Sequence, residues 1–487
     1  MNNIRTINQE QLTNQRGQLS LAVLVFSSLA IIILAGLIIW VDTQLKSAHR
    51  SIYRDSAFRI AESGIEYYRW HLAHAPLDFQ DGTGQSGPYI HNFYDKSGNL
   101  VGKFELEITA PLIGSTVVAI KSTGTVEGVS GLEKVIEVKF AKPSFAKYAA
   151  VLNDNVRFGE GTEVFGQIHS NGGIRFDGLA HNIVTSAVAS YDDPDHSGGN
   201  EFGVHTHLAP VDPLPPAAVP SRPTVFMAGR QFPVPAVDFI GITQALAQIK
   251  AGAQASGFYR GSSGASGYDI LLKTNDTFDL YKVNTLVNPP SNCTNYLSQS
   301  GWGTWSINTE TLLGNYPIPA NGLIFIEDNA WIRGQINTAR ATIASGRFPD
   351  NPTTRTNITV NADVLYSNYD GQDILALIAQ SNINIGMVSD TDLRIDAALI
   401  AQNGRVGRYY YRPPGGGQNR CSPNHTKTTI TSYGTIGSYQ RYGFAYTDGN
   451  GYQTRSLVYD SHLLYGPPPS FPLTSDQYEE ISWSEVK

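Results

Sequence analysis

Residues 376–385 read ALIAQSNINI and residues 398–407 read ALIAQNGRVG. Five identical residues recur 22 positions further on, about the length of one coil of a parallel β-helix. GQIHSNGGIRF at 166–176 has the same shape, with Ile168, Asn171 and Gly172 in the places of Ile400, Asn403 and Gly404. Further runs of this kind are VLNDNVRFGEGTEVFGQI (151–168), GLIFIEDNAWIRGQI (322–336), ARATIASGR (339–347) and TNITVNADVLYSN (356–368). In each, Ile, Val and Leu suit an inward face, and Asn and Gly tolerate left-handed turn geometry. These runs predict a right-handed parallel β-helix of at least six coils. An ordinary β-sandwich would show similar turns, and the fixed offset argues against it.

The coils are predicted at 142–208 and 321–440. Between them, 209–320 reads as a proline-rich linker and an inserted subdomain. LAPVDPLPPAAVPSRP is extended, FIGITQALAQIKAGAQASG is one short helix, and GYDILLKTNDTFDLYKV is a hairpin turning near Asn275 and Asp276. A second insertion, RYYYRPPGGGQNRCSPNHT, follows the repeated run, and 441–487 reads as a C-terminal tail. Composition agrees with a mainly β chain, since only 16% of the 487 residues are charged while Gly (47) and Tyr (25) are abundant. A net charge of -7 without a long Lys/Arg run gives no footprint for nucleic acid.

The N-terminus is different. Leu19 to Val41 are 23 uncharged, mostly apolar residues, enough to cross a hydrocarbon core of roughly 30 Å. The run is too long for a signal peptide and no small-residue cleavage site precedes Asp42. Beyond it, Leu45, Ala48, Ile52, Ala57, Ile60, Ala61, Ile65, Tyr68 and Leu72 keep a helical period, which predicts one helix from about Leu19 to His74, stopped by Pro76. After it, VGKFELEIT, STVVAIKSTGTVEGV and LEKVIEVKFA alternate as a small antiparallel meander, with Ile60, Ile65 and Tyr68 as candidates to cover it. A plain anchor helix with a stalk would share the helical pattern.

QRG at 15–17, the apolar run and AFRIAESGIEYYRW at 57–70 resemble the N-terminus of type IV pilin-like proteins of the PilX class. The resemblance implies a leader over 1–17, cut by a prepilin peptidase after Gly17 to leave Gln18 first. It also implies a transmembrane and extended pilin helix over 18–75 and a pilin-like head over 76–141. Its expected partners are membrane lipid, the peptidase and other pilin-like subunits. Major pilins carry glutamate as the fifth mature residue, where this chain has Ala22, so the expectation is a minor, tip-located component. GLIFIEDNAWIRGQI, DLRIDAALIAQNG and LLYGPPPSFPLTSDQYEEISWSEV resemble a large uncharacterised β-helical domain attached to such N-termini, which implies surface display and supplies no catalytic residues. The cations Lys46, Arg50, Arg54 and Arg59 follow the span whereas Arg5 and Arg16 precede it, against the positive-inside tendency. Composition, scarce Cys and the resemblance place the large domain outside the inner (cytoplasmic) membrane, in a pilus or at the cell surface.

No catalytic, cofactor or metal residue is assigned. YDDPDHSGGNEFGVHTH (191–207) gathers Asp192, Asp193, Asp195, His196, Glu201, His205 and His207. It is read as a solvated loop, although His-Thr-His puts two imidazoles on one side of a strand. Asp448 and Asn450 start like a calcium loop but lack its later acid, and read as a turn. Asp390, Asp392 and Asp396 could line one strand face as an acid and base pair, yet they also sit at an ordinary turn. Tyr409, Tyr410, Tyr411 and Trp302 could stack on sugar or simply pack. Cys293 and Cys421 lie in separate loops, where an oxidising compartment allows a bond; two independent thiols are the alternative, and the distance between α-carbons decides. The function expected is a pilin-like structural or adhesive surface protein, not an enzyme, with a surface glycan or protein as ligand. The rival is a membrane-tethered β-helical protein that binds or cleaves polysaccharide.

Overall fold

The computed structural model describes residues 10–111, 115–239, 241–473, 475 and 477–486, giving only the backbone for 10–18, 241–245 and 465. The chain is mainly β, with one long N-terminal helix, a small antiparallel sheet and a large parallel sheet. It divides into two units, one of residues 1–109, 119–138 and 482–487, the other of 110–118 and 139–481.

In the first unit, helix α1 (Glu10–His74) runs 65 residues without a break, about 100 Å at 1.5 Å per residue. It ends just before Pro76, as that proline requires. Its second half buries Ala57, Ile60, Ala61, Ile65, Tyr68 and Leu72, spaced three or four apart so that they form one stripe. The stripe lies on strands β1 (Tyr89–Tyr94), β2 (Leu100–Thr109), β3 (Val118–Val126) and β4 (Glu133–Ala141), with β2 antiparallel to both β1 and β3. Gly64 and Gly124 permit the close approach: a Cβ on Gly124 would sit 2.1 Å from the Ala57 carbonyl oxygen, and one on Gly64 2.3 Å from Ser122 Oγ. Residues Glu479–Val486, expected as part of a tail, instead add a strand beside β4. Alternation of Ile481 and Trp483 is the signal for it.

In the second unit, parallel strands stack into three ladders. Ladder A aligns Phe258, Ile324, Ile343, Leu377, Leu399, Ile436, Ala150, Ile168 and Val184 in one column. The repeated sequence pairs with itself in register, Ala376 on Ala398 through Ala379 on Ala401. Ladder B aligns Tyr268, Ala330, Ile358, Ile383 and Val406, and separately Val156, Ile174 and Val204. Ladder C aligns Gly334, Val364, Ile395, Ser432, Leu457, Val164 and Ala180.

Ladder A is buried on both sides. Leu375, Leu377 and Ala379 enter the main core, whereas Ile374, Ala376 and Ile378 enter a second apolar layer with Phe145, Phe239, Phe471 and the Leu246, Ile249 and Ala253 side chains of helix α2 (Gly241–Ser256). Alternate residues of a strand point to opposite faces, so a strand covered on both reads as an unbroken apolar run such as ILALIA.

The order of the stack is not the order of the chain. Ala150–Leu152 pairs with Ile436–Ser438 on one side and Ile168–Ser170 on the other, so residues 150–231 continue the stack beyond residues 426–459. The chain then returns outside ladder A, with the Val234 amide bonded to Ser186 O and that of Val237 to Asn171 Oδ1. Phe239 meets Phe145, α2 packs beside Leu323, and the stack begins again at Phe258–Arg260.

Candidate functional site

The first candidate is the exposed half of α1. Its apolar stretch is wholly exposed and is long and apolar enough to cross a membrane. Ser27 and Ser28 donate their hydroxyls to Val23 O and Val25 O at 2.7 and 2.8 Å, which lowers the cost of polar groups in an apolar surrounding. Gly17 and Gln18, where processing is expected, lie in the part of α1 described by its backbone only.

The second is a cleft of about 420 Å³ in the second unit, lined by Asp269, Glu310, Trp331, Arg333, Asn361 and Asp390 among others. Asp269 lies on Gly267–Leu272, Arg333 on the neighbouring Ala330–Ile336, and Glu310 on Ile307–Pro317. Strand Thr277–Leu286 pairs antiparallel with the first and the last of these. Arg333 donates Nε and Nη2 to Asp269 Oδ2 at 3.0 and 2.9 Å and Nη2 to Glu310 Oε1 at 3.1 Å. One guanidinium therefore serves two carboxylates, whose other oxygens, Asp269 Oδ1 and Glu310 Oε2, are buried without a hydrogen-bond partner among the described residues. Burial pushes the Asp269 carboxyl up to about 6 against the pull of Arg333, and Glu310 adds to the rise. Asp390 is also raised, by burial and by the Asp363 charge. Sequence reading missed Asp269, Glu310 and Arg333. An acid inside the apolar run YDILL was the available signal.

The residues singled out from sequence are not gathered in that cleft. Of the three acids at 390–396, only Asp390 lines it. Asp396 is fully buried and accepts from Tyr369 Oη at 2.6 Å, the Tyr366 amide at 3.1 Å and Arg394 Nε at 2.8 Å. Asp392 is exposed. Asp448 accepts from Tyr410 Oη and the Asn450 amide, and Asn450 is buried against Tyr411, so both serve a turn. Tyr409, Tyr410 and Tyr411 are buried rather than displayed. Tyr409, Tyr411 and Met387 pack around Cys293 and Cys421, which form a disulfide with α-carbons 4.8 Å apart. Trp302 Nε1 donates to Tyr410 O and Tyr411 Oη to Gly303 O, fastening the two loops together.

The histidine-rich stretch is the third candidate: Asp192 and residues 194–200 are exposed, as a solvated loop would be, whereas Asp193 and residues 201–205 fold inward. Ser190–Tyr191 pairs with Glu201–Phe202, and Val204–His205 joins ladder B beside Ile174–Arg175. Asp193 is 3% exposed, Glu201 2% and His205 0%. His205 Nε2 lies 3.5 Å from Asp193 Oδ2, while Glu201 Oε1 lies 3.2 Å from His196 Nδ1 and 3.3 Å from His207 Nε2. Two groups, Asp193 with His205 and His207, and His196 with Glu201 and His207, each have one ligand atom per residue within 4.8 Å of the others. Burial opposes ionisation of Asp193, but His205, the Asp195 amide and Arg175 together hold its carboxyl well below the usual range. Burial and the Arg175 charge lower the His207 imidazole.

No protein-family model and no curated protein matches the chain. Among solved structures, the crystal structure of the competence-associated pilin ComZ from Thermus thermophilus aligns with 89% of this chain and 98% of that chain, at 12% identity and a TM-score of 0.27. This is a similarity too low to carry a fold or a role from one chain to the other.

Proposed function

We propose that the chain is a membrane-anchored, pilin-like structural protein, a minor component of type IV pilus assembly that displays an adhesive domain at the cell surface. The observation that carries this reading is α1 itself, one uninterrupted helix with an exposed apolar first half and a second half packed on a small antiparallel sheet. On this reading a prepilin peptidase cuts after Gly17, and the apolar half leaves the inner membrane to pack among other pilin-like subunits. The three ladders are the faces of a right-handed parallel β-helix that stands outside the cytoplasm. A glycan or protein is its ligand, and its role is structural rather than catalytic. Recurrence of A, B and C strands in that order, at 374–379, 383–385 and 392–395, supports the β-helix. The test is immunogold labelling of intact and sheared cells combined with N-terminal sequencing. Label on filaments and a mature chain starting at Gln18 are expected. Label confined to the membrane with an intact Met1 would overturn the pilus role.

The cleft favours a second reading, in which the displayed domain binds or cleaves polysaccharide. Two carboxylates on one guanidinium beside Asn361 suit a polar sugar face. Reducing-end release from acidic or neutral polysaccharides, abolished in Glu310→Gln, would support cleavage. Binding without release would leave the displayed domain a glycan receptor.

A further inference from the structure

We propose that Asp193, His205 and His207 are the three protein ligands of a divalent transition-metal site, beside a second group in which His207 meets His196 and Glu201. Zinc is the fitting chemistry, because two imidazoles and one carboxylate, with a fourth position for water, are a set that ion takes. Three observations point to a cation rather than to a self-contained polar cluster.

The first is unspent capacity. His205 is fully buried, and its Nε2 has no hydrogen-bond partner among the described residues; Glu201 is 2% exposed, and its Oε2 has none either. Buried polar atoms left unpaired are destabilising, and both belong to residues of the two groups that share His207.

Orientation is the second. His205 Nδ1 lies 3.3 Å from Phe202 O. As a carbonyl oxygen only accepts, Nδ1 carries a hydrogen, and in the neutral ring Nε2 is left as the ligand atom on the side of Asp193. This is the arrangement in which a backbone carbonyl fixes the tautomer of a metal-binding histidine. Either a proton or a metal ion must lie between Nε2 and the carboxylate, and uptake of metal by the full chain separates the two.

Charge is the third. Arg175 gives its shortest bond to Asp177, Nε to Oδ2 at 2.7 Å, and reaches Asp193 only at 3.5 Å, while Arg157 also pairs with Asp177 at 3.3 Å. Three carboxylates (Asp177, Asp193 and Glu201) thus face two guanidiniums. Asp195, at the rim, is matched by Arg441. The spacing allows closure, since ligand atoms now within 4.8 Å need to close to about 3.3 Å for bonds of about 2 Å.

The test uses the full chain, free of any affinity tag, in detergent after chelator dialysis. Zinc content by elemental analysis and the visible absorption of added Co²⁺ are measured for the parent, Asp193→Asn, His205→Ala, His207→Ala and the control His181→Ala, whose imidazole pairs with Glu163 elsewhere. The proposal expects one ion per chain, a tetrahedral Co²⁺ spectrum displaced by zinc, and affinity at least about 100-fold weaker in each of the three site variants but not in the control. It also expects zinc to raise the thermal midpoint of the parent, a readout that needs no variant to fold. No stoichiometric uptake, no zinc-dependent midpoint, or equal uptake by the site variants would overturn it. Those results would leave His205 as a protonated partner of Asp193.

Discussion

Asn329, Asn357 and Asn382 each precede a ladder B strand and stack upon one another. Asn357 gives its amide and Nδ2 to Asn329 Oδ1 at 3.0 and 3.2 Å, Asn382 repeats this on Asn357 Oδ1 at 3.1 and 3.2 Å, and Arg405 N ends the row on Asn382 Oδ1 at 2.9 Å. Asn357→Ala removes the middle acceptor and strands two donors of Asn382. A loss of about 1–3 kcal/mol follows, to be read by chemical unfolding of the parent and the variant. Asp269 makes a prediction of opposite kind. Its carboxyl titrates near 6 when folded against 3.8 otherwise, so between those values the folded protein holds a proton that the unfolded chain has released. Stability contributed by that proton is complete below about 4 and is lost as pH rises through 6, by about 3 kcal/mol. Thermal midpoints of Asp269→Asn across that window should show a flatter profile than the parent; an unchanged slope would assign the titration to another group.

Among the elements, α1 serves two environments, and its contact with the sheet depends on the absence of side chains. A Cβ at Gly124 would meet the Ala57 carbonyl at 2.1 Å and the Ala61 nitrogen at 2.6 Å. Both are backbone atoms and cannot swing aside. Gly124→Val should therefore lift the helix from β3 and cost upwards of about 2 kcal/mol, exposing the segment around Ala57 to limited proteolysis. Cleavage there at the parent's rate would show that the helix can pack in another register. Helix α2 contributes differently, as a lid on the outer side of ladder A through Leu246, Ile249 and Ala253.

For the molecule as a whole, the stack is closed by contacts between remote parts of the chain. Ile436 N bonds to Ala149 O at 2.9 Å, Thr435 Oγ1 to Tyr148 O, and Arg455 Nε to Thr162 Oγ1 at 3.0 Å. Residues 139–231 alone would present Ala150–Leu152 and Thr162–Phe165 as unpaired edges, which are sticky. Expressed alone, that fragment should aggregate; coexpressed with residues 232–481, it should be recovered as a soluble complex. Soluble, folded 139–231 by itself would mean that the join is not needed. A further consequence is slow folding, because the pairing of 150 with 436 closes a long loop before it gains contacts.

The sequence alone determined the local parts, because their signals are periodic and short in range. Apolar residues at helical spacing followed by Pro76 set α1 and its end, alternation set β2, β3 and β4, and a 22-residue recurrence set the parallel pairing of 376–379 on 398–401. The turn at Lys273–Asp276 and helix α2 were equally legible. Only the tertiary structure decided which remote segments adjoin. Any short apolar strand can pair with any other, so nothing within 150–152 names 436–438 as its neighbour. For the same reason Asp269, Glu310 and Arg333 are scattered along the chain and meet only because antiparallel and parallel pairings share one edge. Burial of Asp193, Glu201 and His205 was likewise invisible, since a polar stretch rich in Gly, Asp and His reads as solvated until ladder B supplies the partners that take it out of water.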